Sequence, residues 1–170
     1  GYREGKFMFP GRLKAANGGG GRGQVIVESL DQLRKAISEV LGQISQNGWA
    51  DGVMFEQNIP ETIHLEVQIM RDRYGNTRNF GMRDCSEQRA SQKIQEEAPP
   101  SLLKKYPGMQ ERILKLAMMI AEKVGYVGAG TIELMFKDGK FYFLEMNTRI
   151  QVEHPVSEMA FRIRRADGKL

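Results

Sequence analysis

The pair Asp138-Gly139 constrains the fold most strongly, because it stands between two apolar segments. Residues 131–136 and 140–146 contain the β-branched and aromatic side chains typical of strands, and Asp-Gly is a preferred pair for a two-residue hairpin turn. We therefore predict two antiparallel strands at this position. Strict alternation would place the odd-numbered members of the return strand on one face, namely Phe141, Phe143, Glu145 and Asn147.

Other segments predict further strands and two helices. Residues 64–69 alternate polar and apolar side chains, which indicates a half-buried strand. Ser29 and Gln32 fit a capping box that opens an amphipathic helix, and Gly48 follows the end of its apolar pattern. A second helical pattern covers residues 110–124. The fold class that follows is α+β, with mainly antiparallel hairpins.

The chain also shows a change of pattern near residue 58. We predict a small glycine-loop subdomain over residues 1–58 and a larger sheet subdomain over residues 59–170. The charged segment 83–100 has no clean period, and a charge run of this kind is most often a solvated loop.

Composition excludes several classes of protein. Hydrophobic residues make up 41% and charged residues 27%, the balance of a globular protein rather than a disordered one. No apolar run reaches the roughly 20 residues of a membrane-spanning helix. The single cysteine, Cys85, predicts a reducing, cytoplasmic compartment. The net charge of +4 fits small anionic ligands at least as well as nucleic acid. No stacking aromatic residues accompany the basic tail at residues 162–165, which argues against nucleic-acid binding.

A phosphate-binding loop is the first candidate site. Lys14 precedes the glycine cluster at residues 18–23, and a loop without Cβ atoms lets backbone N–H groups approach phosphate oxygens. The spacing fits neither the Walker A nor the Rossmann pattern. A flexible surface linker is the alternative interpretation.

A divalent cation site is the second candidate. The hairpin places Glu133 and Glu145 on paired strands, with Asn147 two residues further along. Two carboxylates and an amide oxygen are hard ligands of the kind that Mg²⁺ prefers. A solvated hairpin face is the alternative.

The polar segment that follows the second strand is the third candidate site. Arg149 could bind an anionic substrate with its guanidinium fork, and Glu153 could act as a base. We interpret His154, which precedes a proline, as a turn residue. Within the charged loop, Lys93 is the residue we expect to lie near phosphate or carbonate.

Five segments in order resemble the biotin carboxylase family of ATP-grasp enzymes, the carboxylase component of acyl-CoA and pyruvate carboxylases. The most specific is FLEMNTRIQVEHPVSEM at residues 143–159. The other four are residues 14–23, 64–68, 83–99 and 125–133. The resemblance implies an ATP-grasp fold fragment, with a glycine-loop lid and the first part of the main antiparallel sheet.

The resemblance also implies an activity and its partners. In this family ATP cleavage activates bicarbonate as carboxyphosphate, which then carboxylates biotin. The implied cofactors are ATP and Mg²⁺ or Mn²⁺, with biotin as the carried substrate. The implied partners are a biotin carboxyl carrier domain and a carboxyltransferase, with a homodimeric full-length parent. The implied compartment is the cytoplasm, or the mitochondrial matrix in a eukaryote.

Family roles carry over onto matching positions of this sequence. The resemblance assigns nucleotide contacts to Lys14, Gly20, Gly21, Glu56, Ile59, His64 and Gln88. It assigns the metal ligands to Glu133, Glu145 and Asn147. It assigns the bicarbonate site to Lys93, Arg149, Gln151 and Val152, and the base that deprotonates bicarbonate to Glu153.

Two residue replacements and the length of the chain set it apart from a complete, active biotin carboxylase. Ser91 stands where the family has a histidine that helps to hold the ribose, and Gln57 replaces a lysine beside the adenine. These replacements favour a catalytically inactive ATP-binding module as the alternative function. The chain is far shorter than a whole biotin carboxylase, so we expect a central fragment that does not turn over alone. Another ATP-grasp carboxylate–amine ligase explains the glycine loop but not residues 149–153.

Overall fold

The computed structural model describes residues 8–18, 21–50, 52–89 and 92–161. These residues divide into two compact units. The first unit comprises the described residues up to Glu61, with Gln92, and the second comprises Thr62–Arg89 and the described residues from Lys93 onward. Among the described residues, no helix is both long and apolar enough to cross a membrane.

The first unit is a three-stranded antiparallel sheet with one helix packed against it. In chain order its elements are β1 (Gly11–Ala15), β2 (Gln24–Val27), α1 (Leu30–Asn47) and β3 (Val53–Gln57). Strand β1 lies in the centre, between β2 and β3. The side chains buried between helix and sheet are Leu13, Ala15, Val27, Ala36, Val40 and Ile44.

Helix α1 begins and ends close to the predicted positions. The Ser29 side chain makes no capping hydrogen bond, but Gln32 Oε1 accepts one from the Glu28 N–H at 3.0 Å. Gly48 ends the helix in the left-handed conformation (φ 63°) that favours glycine. The apolar spacing of the helix includes Leu30 and Leu41, but these two side chains are 54% and 44% exposed.

The second unit is built on a four-stranded antiparallel sheet. Its elements begin with β4 (Ile63–Arg71), β5 (Thr77–Asp84) and the two-residue strand β6 (Gln88–Arg89). The two-residue strand β7 (Gln92–Lys93) follows, and of its residues Lys93 belongs to this unit. A 3-10 helix (Ser101–Lys104) precedes α2 (Met109–Lys123), β8 (Gly128–Lys137), β9 (Lys140–Asn147) and α3 (His154–Ala160). The sheet order is β5-β4-β8-β9, and α2 packs against β4 and β5.

The two faces of this sheet have different chemistry. Along β4, Leu65, Val67 and Ile69 are fully buried in the apolar core that α2 covers. Because successive side chains of a strand point to opposite faces, the alternate residues His64, Glu66 and Gln68 lie on the other face. The second face therefore carries the polar side chains of the candidate site.

The β8–β9 hairpin forms as predicted but contains a bulge. Asp138 and Gly139 both have positive φ angles, 49° and 76°, as a type I′ turn requires. Glu133 pairs with Glu145, whereas the next residue, Leu134, pairs with Phe143, so β9 has one extra residue between the pairs. Directly paired residues share a face, so Phe143 lies on the face opposite Glu145. The prediction of one common face was wrong for this reason.

The predicted α+β class is confirmed by these sheets and helices. Helix α3 was missed, because His154 was interpreted as a turn residue. Pro155 lies in its first turn, where proline is favoured because that backbone nitrogen needs no hydrogen bond.

Two glycine-to-alanine variants should change stability in opposite directions. Gly139→Ala forces a Cβ into the left-handed region and should cost roughly 1–2 kcal/mol of unfolding free energy. Gly42→Ala, inside α1 where a Cβ meets nothing within 4 Å, should add roughly 0.5–1 kcal/mol. Urea unfolding followed by circular dichroism measures both. A stabilising Gly139→Ala would contradict the turn conformation.

Candidate functional site

Lys93 lies at the centre of a cluster of three carboxylates in the second unit. Its Nζ donates to Glu153 Oε1 at 2.7 Å and to Glu133 Oε1 at 3.2 Å, and it forms a short ion pair with Glu66. Burial alone would lower the pKa of Lys93, but the charges of Glu66 and Glu133 outweigh it and raise that pKa. Lys93 is therefore an ammonium ion at neutral pH.

Glu133 accepts hydrogen bonds from more residues than the other carboxylates of the cluster. Besides Lys93, its carboxylate accepts hydrogen bonds from Asn147 Nδ2 at 2.7 Å, Gln151 Nε2 at 3.0 Å and His64 Nε2 at 2.7 Å. Burial raises the pKa of Glu133, but the bond from His64 and the charge of Lys93 outweigh it and hold the pKa at about 2. Glu133 thus stays ionised although it is only 4% exposed.

The two nitrogens of the His64 ring have different partners. Gln88 Nε2 lies 2.6 Å from Nδ1, and the same amide nitrogen donates to the Cys85 carbonyl oxygen at 2.8 Å. Since an amide nitrogen only donates, Nδ1 must accept, and the ring proton lies on Nε2 facing Glu133. Gln88 therefore orients the imidazole toward the carboxylate.

Glu153 precedes α3 and contacts Lys93 directly. Burial raises the pKa of Glu153, but the hydrogen bond from Lys93 outweighs it and the net direction is down. Glu153 is therefore a carboxylate at neutral pH, which is the form that accepts a proton.

A second buried cation, Arg83, lies behind this cluster and was missed by the sequence analysis. Its guanidinium is fully buried, forms a short ion pair with Glu66 and lies 3.2 Å from Glu96 Oε2. Burial and the charges of Glu66 and Glu153 raise the pKa of Glu96 to about 7. The charged segment that contains Arg83 and Glu96 was predicted to be a solvated loop, but both side chains are buried. The alternation of β4 was a usable signal, since it puts Glu66 beside His64 on one face.

The remaining predicted bicarbonate residues differ in their surroundings. Gln151 is buried and bonds to Glu133, as described above. Arg149 is exposed and its Nη1 donates to the Ile150 carbonyl oxygen at 3.1 Å. Val152 is 90% exposed. The structure therefore brings Lys93, Gln151 and Glu153 to one place and leaves Arg149 and Val152 at the surface beside it.

The predicted metal ligands lie together, and Lys93 and three further donors occupy the Glu133 carboxylate in this structure. Glu133 and Glu145 are direct partners across β8 and β9, which puts both carboxylates on one face, and Asn147 contacts Glu133. Glu133 is ionised, and oxygen donors of this kind suit Mg²⁺.

A second group of possible ligands does not fit a cation. Ligand atoms of Glu66, Cys85 and Glu96 lie within 4.8 Å of one another. Both oxygens of Glu66 are taken, Oε1 by Arg83 and Oε2 by Lys93, and Glu66 and Arg83 are buried away from solvent. Burial and the charge of Glu66 raise the pKa of Cys85, so its sulfur stays protonated and is a poor ligand.

The predicted nucleotide residues of the first unit lie on and beside its sheet. Lys14 on β1 forms an ion pair with Glu56 on β3, with Nζ and Oε1 3.0 Å apart. Gly21 is exposed with a φ of 75°, and Ile59 is half-buried after β3. Gly20 and Ser91 lie outside the described residues.

The carbamoyl-phosphate synthase L chain, ATP-binding domain family matches residues 5–163. The chain belongs to this family. That match covers both units and all of the site residues named above. Together with the relatives that follow, it confirms the predicted resemblance to the biotin carboxylase family.

Its relatives include biotin carboxylases. A biotin carboxylase from Nostoc is 45% identical over 152 residues, which are 89% of this chain and 34% of that protein. A Campylobacter jejuni biotin carboxylase in complex with beta-gamma-ATP superposes with a TM-score of 0.82 at 44% identity, covering 89% of this chain and 34% of that one.

A third relative was solved with nucleotide and bicarbonate. The biotin carboxylase domain dimer of Hydrogenobacter thermophilus 2-oxoglutarate carboxylase, in complex with MgADP, ADP and bicarbonate, has a TM-score of 0.81 at 42% identity. It is matched over 89% of this chain and 33% of that one. The chain spans 28–34% of the length of the first curated relatives it matches.

Glu133→Gln should lower stability in a pH-dependent way. The folded pKa of about 2 lies below the ordinary value of 4.5, so the ionised carboxylate stabilises the fold above pH 4.5. We expect a loss on the order of 3 kcal/mol at pH 7 that shrinks as the pH falls from 4.5 toward 2. Urea unfolding at several pH values measures it, with Glu111→Gln on the exposed side of α2 as the control. A pH-independent loss would contradict this pKa.

Proposed function

We propose that this chain forms part of a biotin carboxylase: it takes part in the ATP- and Mg²⁺-dependent conversion of bicarbonate to carboxyphosphate and in the carboxylation of biotin. The observation that carries the proposal is the contact of Lys93 with Glu133 and Glu153. An ammonium ion that can bind an anion stands 2.7 Å from a carboxylate that can take a proton. The two groups a bicarbonate ion needs are therefore already adjacent.

The proposed chemistry assigns a separate task to each residue. Lys93 and Arg149 bind the negative charge of bicarbonate, and Gln151 and Val152 complete its site. Glu153 accepts the bicarbonate proton, which leaves an oxygen able to attack the terminal phosphoryl group of ATP. ADP departs and carboxyphosphate forms. The same cations stabilise negative charge on the phosphoryl group as it transfers.

Nucleotide binding is proposed for residues of each unit. In the first unit, Lys14 neutralises phosphate charge, Gly20 and Gly21 offer backbone N–H groups, and Glu56 and Ile59 contact the adenine. Lys14 would then exchange Glu56 for phosphate as its ion partner. In the second unit, His64 and Gln88 are the proposed nucleotide contacts, and their mutual hydrogen bond fixes the ring.

Glu133, Glu145 and Asn147 are the residues that would hold Mg²⁺ or Mn²⁺. When bound, the ion would neutralise the phosphate oxygens of ATP and polarise the transferred phosphoryl group. The low pKa of Glu133 keeps this carboxylate charged at neutral pH.

The proposed setting is a biotin-dependent carboxylase. Biotin would arrive on a carboxyl carrier domain and pass its carboxyl group to a carboxyltransferase, and the full-length protein would be a homodimer. The buried Cys85 thiol suits a reducing compartment such as the cytoplasm or the mitochondrial matrix.

Calorimetric titration with ATP tests the nucleotide and metal part. We expect Mg²⁺-dependent binding that weakens roughly tenfold or more in Glu145→Gln, because a ligand carboxylate is lost. Glu111→Gln, which removes an exposed charge from α2, is the matched control. Equal binding of MgATP by Glu145→Gln and the unaltered chain would contradict the metal site.

Bicarbonate-stimulated ATP cleavage separates this function from an inactive ATP-binding module, which Ser91 and Gln57 favour. The assay uses a chimaera in which this chain replaces the matching segment of the Nostoc biotin carboxylase. We expect Glu153→Gln to lower the stimulated rate about 10²-fold, because the proton acceptor is lost, without changing MgATP binding. Glu158→Gln on α3 is the control. Intact ATP binding with no bicarbonate stimulation would favour the inactive module.

A further inference from the structure

We propose that Arg83 is the positioning residue of this site: it touches no ligand itself, but it aligns both Lys93 and Gln151. The proposal rests on the function proposed above for these two residues. Arg83 lies on β5 and its side chain is fully buried, so it is enclosed by protein on every side.

The first line of contact runs through Glu66. This carboxylate is also fully buried, and its two oxygens have different cations: Oε1 accepts from Arg83 and Oε2 from Lys93. A buried carboxylate must be paired, and here two cations share it. Arg83 therefore limits how far Glu66 can move toward Lys93, and with it where the ammonium lies between Glu133 and Glu153.

The second line of contact runs through Gln151. Arg83 Nη2 donates to Gln151 Oε1 at 3.4 Å, and the Nε2 of the same amide donates to Glu133 at 3.0 Å. A donor that faces the amide oxygen determines the orientation of the side-chain amide. Arg83 thereby turns the Gln151 nitrogen toward Glu133.

Three further contacts fix the guanidinium in its plane. Nη1 donates to Ser157 Oγ of α3 at 2.7 Å and to Gln68 Oε1 at 3.4 Å, and Nε lies 3.2 Å from Glu96 Oε2. The donors of one rigid plane reach β4, the segment after β9 and α3 together, and the charge of the plane pairs with Glu96 after β7. Lysine offers only a point charge and cannot make these contacts at once.

Hydrogen exchange of the Lys93 side-chain ammonium, followed by ¹⁵N NMR without any ligand, tests the proposal. Lys93→Arg assigns the signal. In Arg83→Lys we expect its exchange with water to accelerate roughly tenfold, the factor that corresponds to one lost charged hydrogen bond. Arg71→Lys is the matched control, because Arg71 also lies on this sheet but bonds to the Tyr126 carbonyl oxygen instead. In Arg71→Lys the exchange rate of the Lys93 ammonium should equal that of the unaltered chain.

Thermal unfolding of both variants separates positioning from general loss of stability. Equal Lys93 exchange in Arg83→Lys and Arg71→Lys would overturn the proposal. If Arg83→Lys does not fold, Ser157→Ala decides, because it removes an acceptor of Arg83 and keeps every charge. Faster Lys93 exchange in Ser157→Ala supports the proposal, and unchanged exchange overturns it. If the proposed function is wrong and the positioning role is right, the chain will not bind MgATP, but Lys93 exchange will still be faster in Arg83→Lys.

Discussion

The charge of Lys93 is the constraint on which the rest of the second unit depends. Glu66, Glu133 and Glu153 converge on its ammonium, and two of these carboxylates are buried. Carboxylates this close would repel one another strongly in a site with little water, so each needs a cation or a set of donors. The fold supplies Lys93 and Arg83 together, and this explains why a polar cluster can stay ionised inside a small sheet unit.

One sheet serves both the core and the site because strands β4 and β8 alternate. Their apolar residues pack against α2, and the residues between them turn to the opposite face. That second face is covered by the segments that follow β7 and β9, so its polar side chains bond to one another and only partly to water. The bulge in β9 puts Glu145 on the same face as Glu133, although Phe141 near the start of the strand lies on the other face.

The site has an inner part and an outer part with different properties. Lys93, Glu133 and Gln151 are held by several hydrogen bonds each, and the first two stay charged at neutral pH. Arg149 and Val152 are exposed beside them. Such a division lets the inner groups keep their geometry while the outer ones adapt to what binds.

Much of this protein follows from local sequence alone. Asp138-Gly139 determined a hairpin, because both positions need positive φ angles, and apolar spacing determined α1 and α2. The site motifs also predicted chemical roles for Lys93, Glu133 and Glu153, and the structure shows these three in contact. Only the tertiary structure decided that Glu66 and Arg83 are buried beside them. Alternation shows which residues share a face but not what covers that face, because the cover comes from segments far along the chain.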